Sequence, residues 1–189
     1  YKEWSATNTD VDGFIYPLKS LNFSKKESIV LGSGGAARSV IQGLVNLNFS
    51  NITIISRNVN SLNELIKIFP NQTKLNFLLS KDKKIPELIE ESDLIVNTTP
   101  VGMKTYGNVE QTLPFGENFW TSLNSKTTVY DLIYNPTQTQ LLKLSEKKGC
   151  MTINGIQMLI AQGAKSLSYW TEGLEVPFEV MHEAIKKYL

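Results

Sequence analysis

The chain has very little of several things that mark common functional classes. It carries one cysteine, Cys150, and one histidine, His182. A single cysteine excludes an intramolecular disulfide and any multi-cysteine metal site. One histidine in a charged C-terminal segment is a poor basis for a catalytic triad or a histidine metal centre, so no metal is expected. Cys150 reads as a buried small hydrophobe and His182 as a surface residue. Charge of one sign is also lacking: 19 Lys and Arg stand against 18 Asp and Glu, a net +1. No field is available to hold nucleic acid or an acidic membrane, and neither is an expected partner. No apolar run approaches the roughly 20 residues that span a bilayer. No signal-peptide pattern opens the chain, and no repeat or low-complexity stretch interrupts it. A cytoplasmic protein is expected, and a plastid would fit as well. What remains is ordinary globular composition, 41% hydrophobic and 20% charged over 189 residues, enough for one domain with appendages.

Glycine is where the chain becomes specific. Gly32-Ser33-Gly34-Gly35-Ala36-Ala37 follows an apolar run, Ser28–Leu31, and opens an apolar helical run to Leu47. A tight turn after a strand needs a residue that tolerates positive φ, which Gly32 supplies. Gly34 lets the backbone approach a pyrophosphate, and Ala37 is small enough for close helix–strand packing. The unpaired N–H groups and positive dipole end of the helix complete a phosphate cradle over Gly32, Ser33, Gly34, Gly35 and Ala36. The other reading is a glycine-rich strand–helix turn with no ligand.

The next strand-like run, Asn51–Ile55, ends at Ser56-Arg57-Asn58. A site for NAD usually places an acid there, on the ribose 2′-hydroxyl. No acid occurs from Ser56 to Ser61. Arg57 suits a 2′-phosphate by charge and fork geometry, with Ser56 and Asn58 adding neutral hydrogen bonds. NADP is therefore the expected cofactor, a solvated loop arginine being the alternative.

Apolar strands alternate with helical segments along the rest of the chain, the pattern of a parallel sheet with crossover helices. Strands are expected at about Ser28–Leu31, Ile52–Ser56, Leu75–Leu79, Leu94–Asn97, Thr128–Asp131 and Met151–Ile153. Helices are expected near Ala36–Leu47, Ser61–Ile68, Ile85–Glu91, Thr137–Lys148, Gly155–Trp170 and Val176–Tyr188. The fold class is α/β, a Rossmann-type doubly wound parallel sheet with flanking helices and extra C-terminal helices. A long irregular loop is expected from Thr99 to Trp120. Near the start, Thr9 is placed to cap a short helix, with Asp10 and Asp12 at its positive end. Its weak apolar stripe of Phe14, Leu18 and Leu21 is interrupted by Gly13 and Pro17 and needs a partner surface.

Three further positions follow from helix and strand geometry. Gly155, Met158 and Gln162 share a helix face, and Gly155 and Gln162 lie roughly 10 Å apart along the axis. That spacing suits a nicotinamide against a bare Gly155 and a substrate hydroxyl at Gln162, whose amide both donates and accepts. Gln162 could equally be a polar residue at a helix–helix contact. Tyr134 follows a strand end, where ligands of such folds gather; it could bond substrate, with Leu132 backbone beside the nicotinamide, or simply pack on the Asn135-Pro136 turn. Thr98, in the turn Thr98–Met103, is expected to line the cofactor ribose, or to belong to a plain structural turn.

Five motifs in order carry a resemblance: Asn8-Thr9-Asp10, Gly32–Arg38, Asn97-Thr98-Thr99-Pro100-Val101-Gly102-Met103, Tyr130–Pro136 and Asn154–Gln162. Together they resemble the shikimate dehydrogenase family over nearly the whole chain, matching its C-terminal, cofactor-binding part. The resemblance implies NADPH-dependent reduction of 3-dehydroshikimate to shikimate, a step toward aromatic amino acids, with a small-molecule substrate. It implies that Asp10 is the acid of a Lys–Asp catalytic pair, orienting the lysine ammonium and bonding a substrate hydroxyl. A carboxylate in the first turn of a helix would by itself stabilise that helix by about 0.3–1 kcal/mol. No segment matches the family's lysine motif, and the chain begins Tyr1-Lys2-Glu3-Trp4 without Met. The expectation is a piece of a longer protein, inactive alone. Residues 1–24 would lead to an N-terminal substrate domain, 25–153 would form the NADP-binding Rossmann domain, and 154–189 would pack as helices at the domain interface. The family's NADP motif, Asn-Arg-Thr with a second basic residue soon after, is only half kept: Ser61 stands where the second base belongs. A quinate/shikimate dehydrogenase with relaxed cofactor use and a non-catalytic NADP-binding module remain as rivals, and a homodimer is left open.

Overall fold

A computed structural model describes residues 6–69, 74–104, 113–185 and 187. Six strands, β1 (Glu27–Leu31), β2 (Asn51–Ser56), β3 (Leu75–Leu79), β4 (Leu94–Asn97), β5 (Thr128–Asp131) and β6 (Met151–Ile153), form one sheet in the order β3-β2-β1-β4-β5-β6. Every pairing is parallel. The chain runs outward one way from β1 to β3, then crosses back to β4 and runs outward the other way. The reversal leaves a crevice between the carboxyl ends of β1 and β4, where open α/β sheets bind ligands.

The helices are α1 (Asp10–Ile15), α2 (Gly35–Asn46), α3 (Val59–Ile68), α4 (Ile85–Glu91), α5 (Gln140–Lys147), α6 (Ile156–Trp170) and α7 (Phe178–Ile185). The strand side chains alternate between two cores, as a sheet covered on both faces requires. Val30, Ile52, Ile54, Leu94 and Val96 join the helix α2 residues Ala37, Val40, Ile41 and Leu44 in one core. Ile29, Leu31, Ile55, Ile95 and Val129 join Ile85, Ile89 and Leu141 of α4 and α5 in the other.

Several expectations change in detail. Helix α5 starts later than Thr137, because Thr139 is its N-cap and its hydroxyl accepts from Leu142 N at 3.3 Å. Thr9 occupies the N-cap position of α1 but makes no capping bond. Asn8 turns the chain instead, its Oδ1 accepting from Asp10 N at 2.9 Å. The long loop after Thr99 falls partly outside the described residues; its far end is a 3-10 turn, Glu117–Trp120, tied down by buried Trp120, whose Nε1 donates to Pro114 O at 2.9 Å. The end of the expected last helix, at Tyr188, also lies outside the described residues. Cys150 is buried and its Sγ donates to Asn124 O. His182 is half-buried, its ring stacked on Phe178 rather than free at the surface. Among the described residues no helix is long and apolar enough to cross a membrane, and no cluster of His, Cys, Asp and Glu could hold a metal.

The partner surface of α1 is a pair of helices. Phe14 lies over Gly43 of α2, where a Cβ would meet its ring at 2.5 Å, and stacks on Tyr130 at 5.4 Å between centroids. Gly13 lies against α6, where a Cβ would meet Met158 O at 2.7 Å and Gln162 Cβ at 2.8 Å. Gly13 therefore does not interrupt a packing stripe; it is the point of closest approach between α1 and α6.

Candidate functional site

The turn after β1 has the geometry its residues imply. Gly32 adopts φ +105°, and a Cβ there would strike Thr98 Oγ1 at 2.7 Å. Its N–H donates to Ile55 O at 2.8 Å, while Thr98 donates to Leu31 O from both N (2.9 Å) and Oγ1 (2.7 Å). The end of β1 is thereby clamped between the ends of β2 and β4. Gly34 and Gly35 are exposed, and nothing lies within 4 Å of where a Cβ would stand at either. Ala37 is fully buried in the core. The first turn of α2, which contains no acid, thus presents bare N–H groups to open space. That is a cradle a pyrophosphate fits.

Two clefts flank this cradle. One, about 600 Å³, lies beyond the ends of β2 and β3 and is lined by Arg57, Ser80, Lys81, Thr99, Val101 and Phe115 among others. The other, about 280 Å³, lies at the ends of β4 and β5 and includes Ala36, Thr98, Met103, Leu132 and Tyr134. A larger cleft of about 760 Å³ opens between Trp120 and α5. No strand residue and none of the motif residues lines it.

Ser33, Ser56 and Asn58 meet at the edge of the cradle. Ser33 Oγ donates to Ser56 Oγ at 2.8 Å and lies 2.5 Å from Ser61 Oγ. Ser56 also accepts from Asn58 N at 3.1 Å, and Asn58 Oδ1 caps α3 by accepting from Asn60 N and Ser61 N. Asn58 is thus committed to the helix through its side-chain oxygen, whereas Arg57 is exposed and makes no ion pair among the described residues.

Gly155 has a packing role in addition to the one expected of it. A Cβ there would stand 1.9 Å from Leu132 O and 3.0 Å from the Ile133 carbonyl carbon. Gly155 N donates to Ile133 O at 3.0 Å. The residue is buried, and its bare face is filled by backbone of the turn after β5. What glycine achieves is the docking of α6 directly onto Leu132 and Ile133, which line the 280 Å³ cleft.

Gln162 is tied to Thr9, the residue before Asp10, at the α1–α6 contact, and neither Asp10 nor Gln162 lines either of the two clefts. Thr9 Oγ1 donates to Gln162 Oε1 at 3.3 Å and pairs with Ser166 Oγ at 3.0 Å. Asp10, the next residue, is half-buried at this α1–α6 contact. Gln162 makes a helix–helix hydrogen bond and stays partly accessible. Tyr134 is exposed at the cleft wall beside Ala36 and Leu132.

Sequence reasoning missed the buried polar core beneath the 280 Å³ cleft. Asp131 Oδ1 accepts from Asn97 Nδ2 (2.9 Å) and Ile133 N (3.2 Å), and Oδ2 accepts from Thr139 Oγ1 (2.7 Å). Asn97 Oδ1 in turn accepts from the N–H (3.0 Å) and hydroxyl (2.7 Å) of Thr99. Burial pushes the Asp131 carboxyl up to about 6, against the pull of the Thr139, Ile133 and Asn97 donors. The network fixes the turns after β4 and β5 relative to each other and to the start of α5. A signal existed: Asn97 and Asp131 are polar residues closing two buried apolar strands, and they pair in register.

Comparison with known proteins matches these regions. Residues 17–108 fit the family model of Shikimate / quinate 5-dehydrogenase, and residues 155–186 fit that of the Shikimate 5'-dehydrogenase C-terminal domain. Shikimate dehydrogenase (NADP(+)) of Prochlorococcus marinus (strain MIT 9312) is 69% identical over 188 residues, covering 100% of this chain and 66% of that protein. Shikimate 5-dehydrogenase from Listeria monocytogenes, solved in complex with shikimate and NAD, superposes with a TM-score of 0.82 at 29% identity, covering 94% of this chain and 62% of that one. A shikimate dehydrogenase solved in complex with NADP+ superposes with a TM-score of 0.77 at 34% identity, covering 96% of this chain and 61% of that one. The chain therefore spans 66% or less of the length of each of these relatives.

Proposed function

Because this chain belongs to the shikimate dehydrogenase family, we propose that its residues bind NADP(H) and take part in the reversible reduction of 3-dehydroshikimate to shikimate. The observation that carries this reading is the bare first turn of α2 at the sheet's reversal point, with a cationic cleft on one side and a cleft holding Tyr134 on the other. The relative from Prochlorococcus is named for NADP(+), while solved relatives hold NAD in one case and NADP+ in another. Arg57, with no acid near it at the end of β2, supports the phosphorylated cofactor.

A bound NADPH supplies hydride to the keto carbon of the substrate. The N–H groups of Gly34, Gly35 and Ala36 hold its pyrophosphate, and Arg57 faces the 2′-phosphate beside Ser33 and Ser56. Thr98 and Leu132 line the path of the ribose and nicotinamide. Gly155 acts through its backbone, locking α6 onto the turn that bears Leu132. Gln162 and Tyr134 give donors and acceptors that read substrate hydroxyls. Asp10 orients the ammonium of a lysine, which in the family resemblance lies outside these 189 residues; that ammonium meets the alkoxide as it develops and gives it a proton. Residues 25–153 act as the cofactor domain and 154–189 as helices at its interface with a substrate-binding part.

Replacement of Asp10 tests the chemistry. In the complete protein, Asp10→Asn is expected to lower turnover of 3-dehydroshikimate about a hundredfold or more, with the dissociation constant for NADPH unchanged. Near-normal turnover in that variant overturns the assignment. For the cofactor, titration calorimetry should find NADP bound more tightly than NAD; equal binding contradicts the role given to Arg57.

A further inference from the structure

We propose that Lys81 supplies the second positive charge facing the 2′-phosphate of NADP, and so sets the preference for NADP over NAD together with Arg57. This rests on the dinucleotide reading above and adds a residue to it. A phosphate monoester carries about −1.5 to −2 near pH 7, so one guanidinium offsets only part of its charge. The turn between β2 and α3 provides no second cation. Ser61 lies 2.5 Å from Ser33 Oγ and donates to Asn58 O at 3.0 Å, and the next base along the chain is Lys67 in the last turn of α3.

The neighbouring strand provides one instead. Strands β2 and β3 pair in parallel with Ser56 opposite Leu79, and Ser80 N donates to Ser56 O at 3.0 Å, carrying the ladder past both strand ends. Arg57 and Lys81 consequently leave adjacent strands, about 5 Å apart in a sheet, at nearly the same level. Both line the 600 Å³ cleft. Among the described residues lining it there is no carboxylate to neutralise either. Both side chains are exposed, and neither makes an ion pair or side-chain hydrogen bond among the described residues. Two cations lining one cleft beside the α2 start, with no partner and no carboxylate among the described residues there, are matched to a dianion, not to a ribose hydroxyl.

The test compares ligands that differ only in that phosphate. Lys81→Met should bind NADP and adenosine 2′,5′-bisphosphate about five- to tenfold more weakly at ~0.1 M salt, with NAD and 5′-AMP within twofold of the parent. Lys81→Arg should restore binding, and the loss should shrink as salt rises. If Lys81→Met leaves the bisphosphate unaffected while Arg57→Met weakens it, the assignment of Lys81 falls and the dinucleotide reading stands. If Lys81→Met weakens both ligand pairs alike, Lys81 is not the selector and the assignment also falls. If the parent binds none of the four ligands, the dinucleotide reading fails and Lys81 with it.

Discussion

The two sides of the phosphate cradle are built in opposite ways. On the β1–α2 side, one contiguous hexapeptide makes the turn, and its glycines are open to solvent at Gly34 and Gly35. On the β4–β5 side, local turn bonds are joined to long-range ones. Asn97, Asp131 and Thr139 come from three elements, Gly155 from a fourth, and the Thr9–Gln162 contact spans 153 residues of chain. The first side should therefore tolerate substitution structurally while losing ligand. The second should lose structure before ligand binding can be asked about. Glycine illustrates the contrast: Gly34 faces empty space, whereas Gly155 faces a carbonyl oxygen where its Cβ would be.

The comparison can be broken at four points. The largest effect is expected for Gly155→Ala, which forces a methyl against Leu132 O. It should cost about 3–4 kcal/mol by urea unfolding; a change below 1 kcal/mol would show that α6 can simply lift away. Next comes the pH dependence carried by Asp131. Its folded-state pKa of about 6 lies above the ordinary aspartate value of 3.8, so the folded protein holds this proton more tightly than the unfolded chain. The associated stability is full below about 3.8 and is lost as pH rises through about 6, a contribution on the order of 3 kcal/mol. Asp131→Asn keeps an oxygen for Asn97 and Ile133 and should flatten that slope between pH 4 and 6; an unchanged slope assigns it elsewhere. Smaller, and on the other side of the cradle, Gly34→Ala should weaken dinucleotide binding about tenfold or more while unfolding within about 1 kcal/mol of the parent, the lost N-cap preference being offset in part by a stiffer unfolded chain. Equal binding would remove the pyrophosphate from that turn. The smallest effect is expected for Thr9→Val, which loses the bonds to Gln162 and Ser166 and should cost about 1 kcal/mol.

Much of the fold was legible. The six strands were readable as short apolar runs ended by polar or turn residues, β-branched in β1, β2 and β4 though not in β3, and the central strands are buried on both faces. The Gly32 turn was readable because a positive φ and an open helix start are local demands. Helix ends were less so: the true start of α5 depends on a threonine whose hydroxyl both caps the helix and donates to Asp131. The site was legible in part. Ala36, Thr98, Leu132 and Tyr134 do converge on one cleft. Gly155 was expected beside the ring for its lack of a side chain; that the same lack lets α6 dock onto Leu132 and Ile133 was not legible. Lys81 carried no signal at all, since a lysine after a strand matters only when the neighbouring strand ends in an unpaired arginine.

Chain order and residue type alone determined the parallel α/β architecture, the open glycine turn after β1 and the absence of acid at the end of β2, because each depends on backbone geometry or apolar periodicity within a few consecutive residues. Only the tertiary structure decided that Gly13 is the seam between α1 and α6, that Asp131 is buried under a cleft, and that Arg57 and Lys81 share one. Those facts depend on which surfaces end up a few ångströms apart, and distance along the chain does not encode that separation.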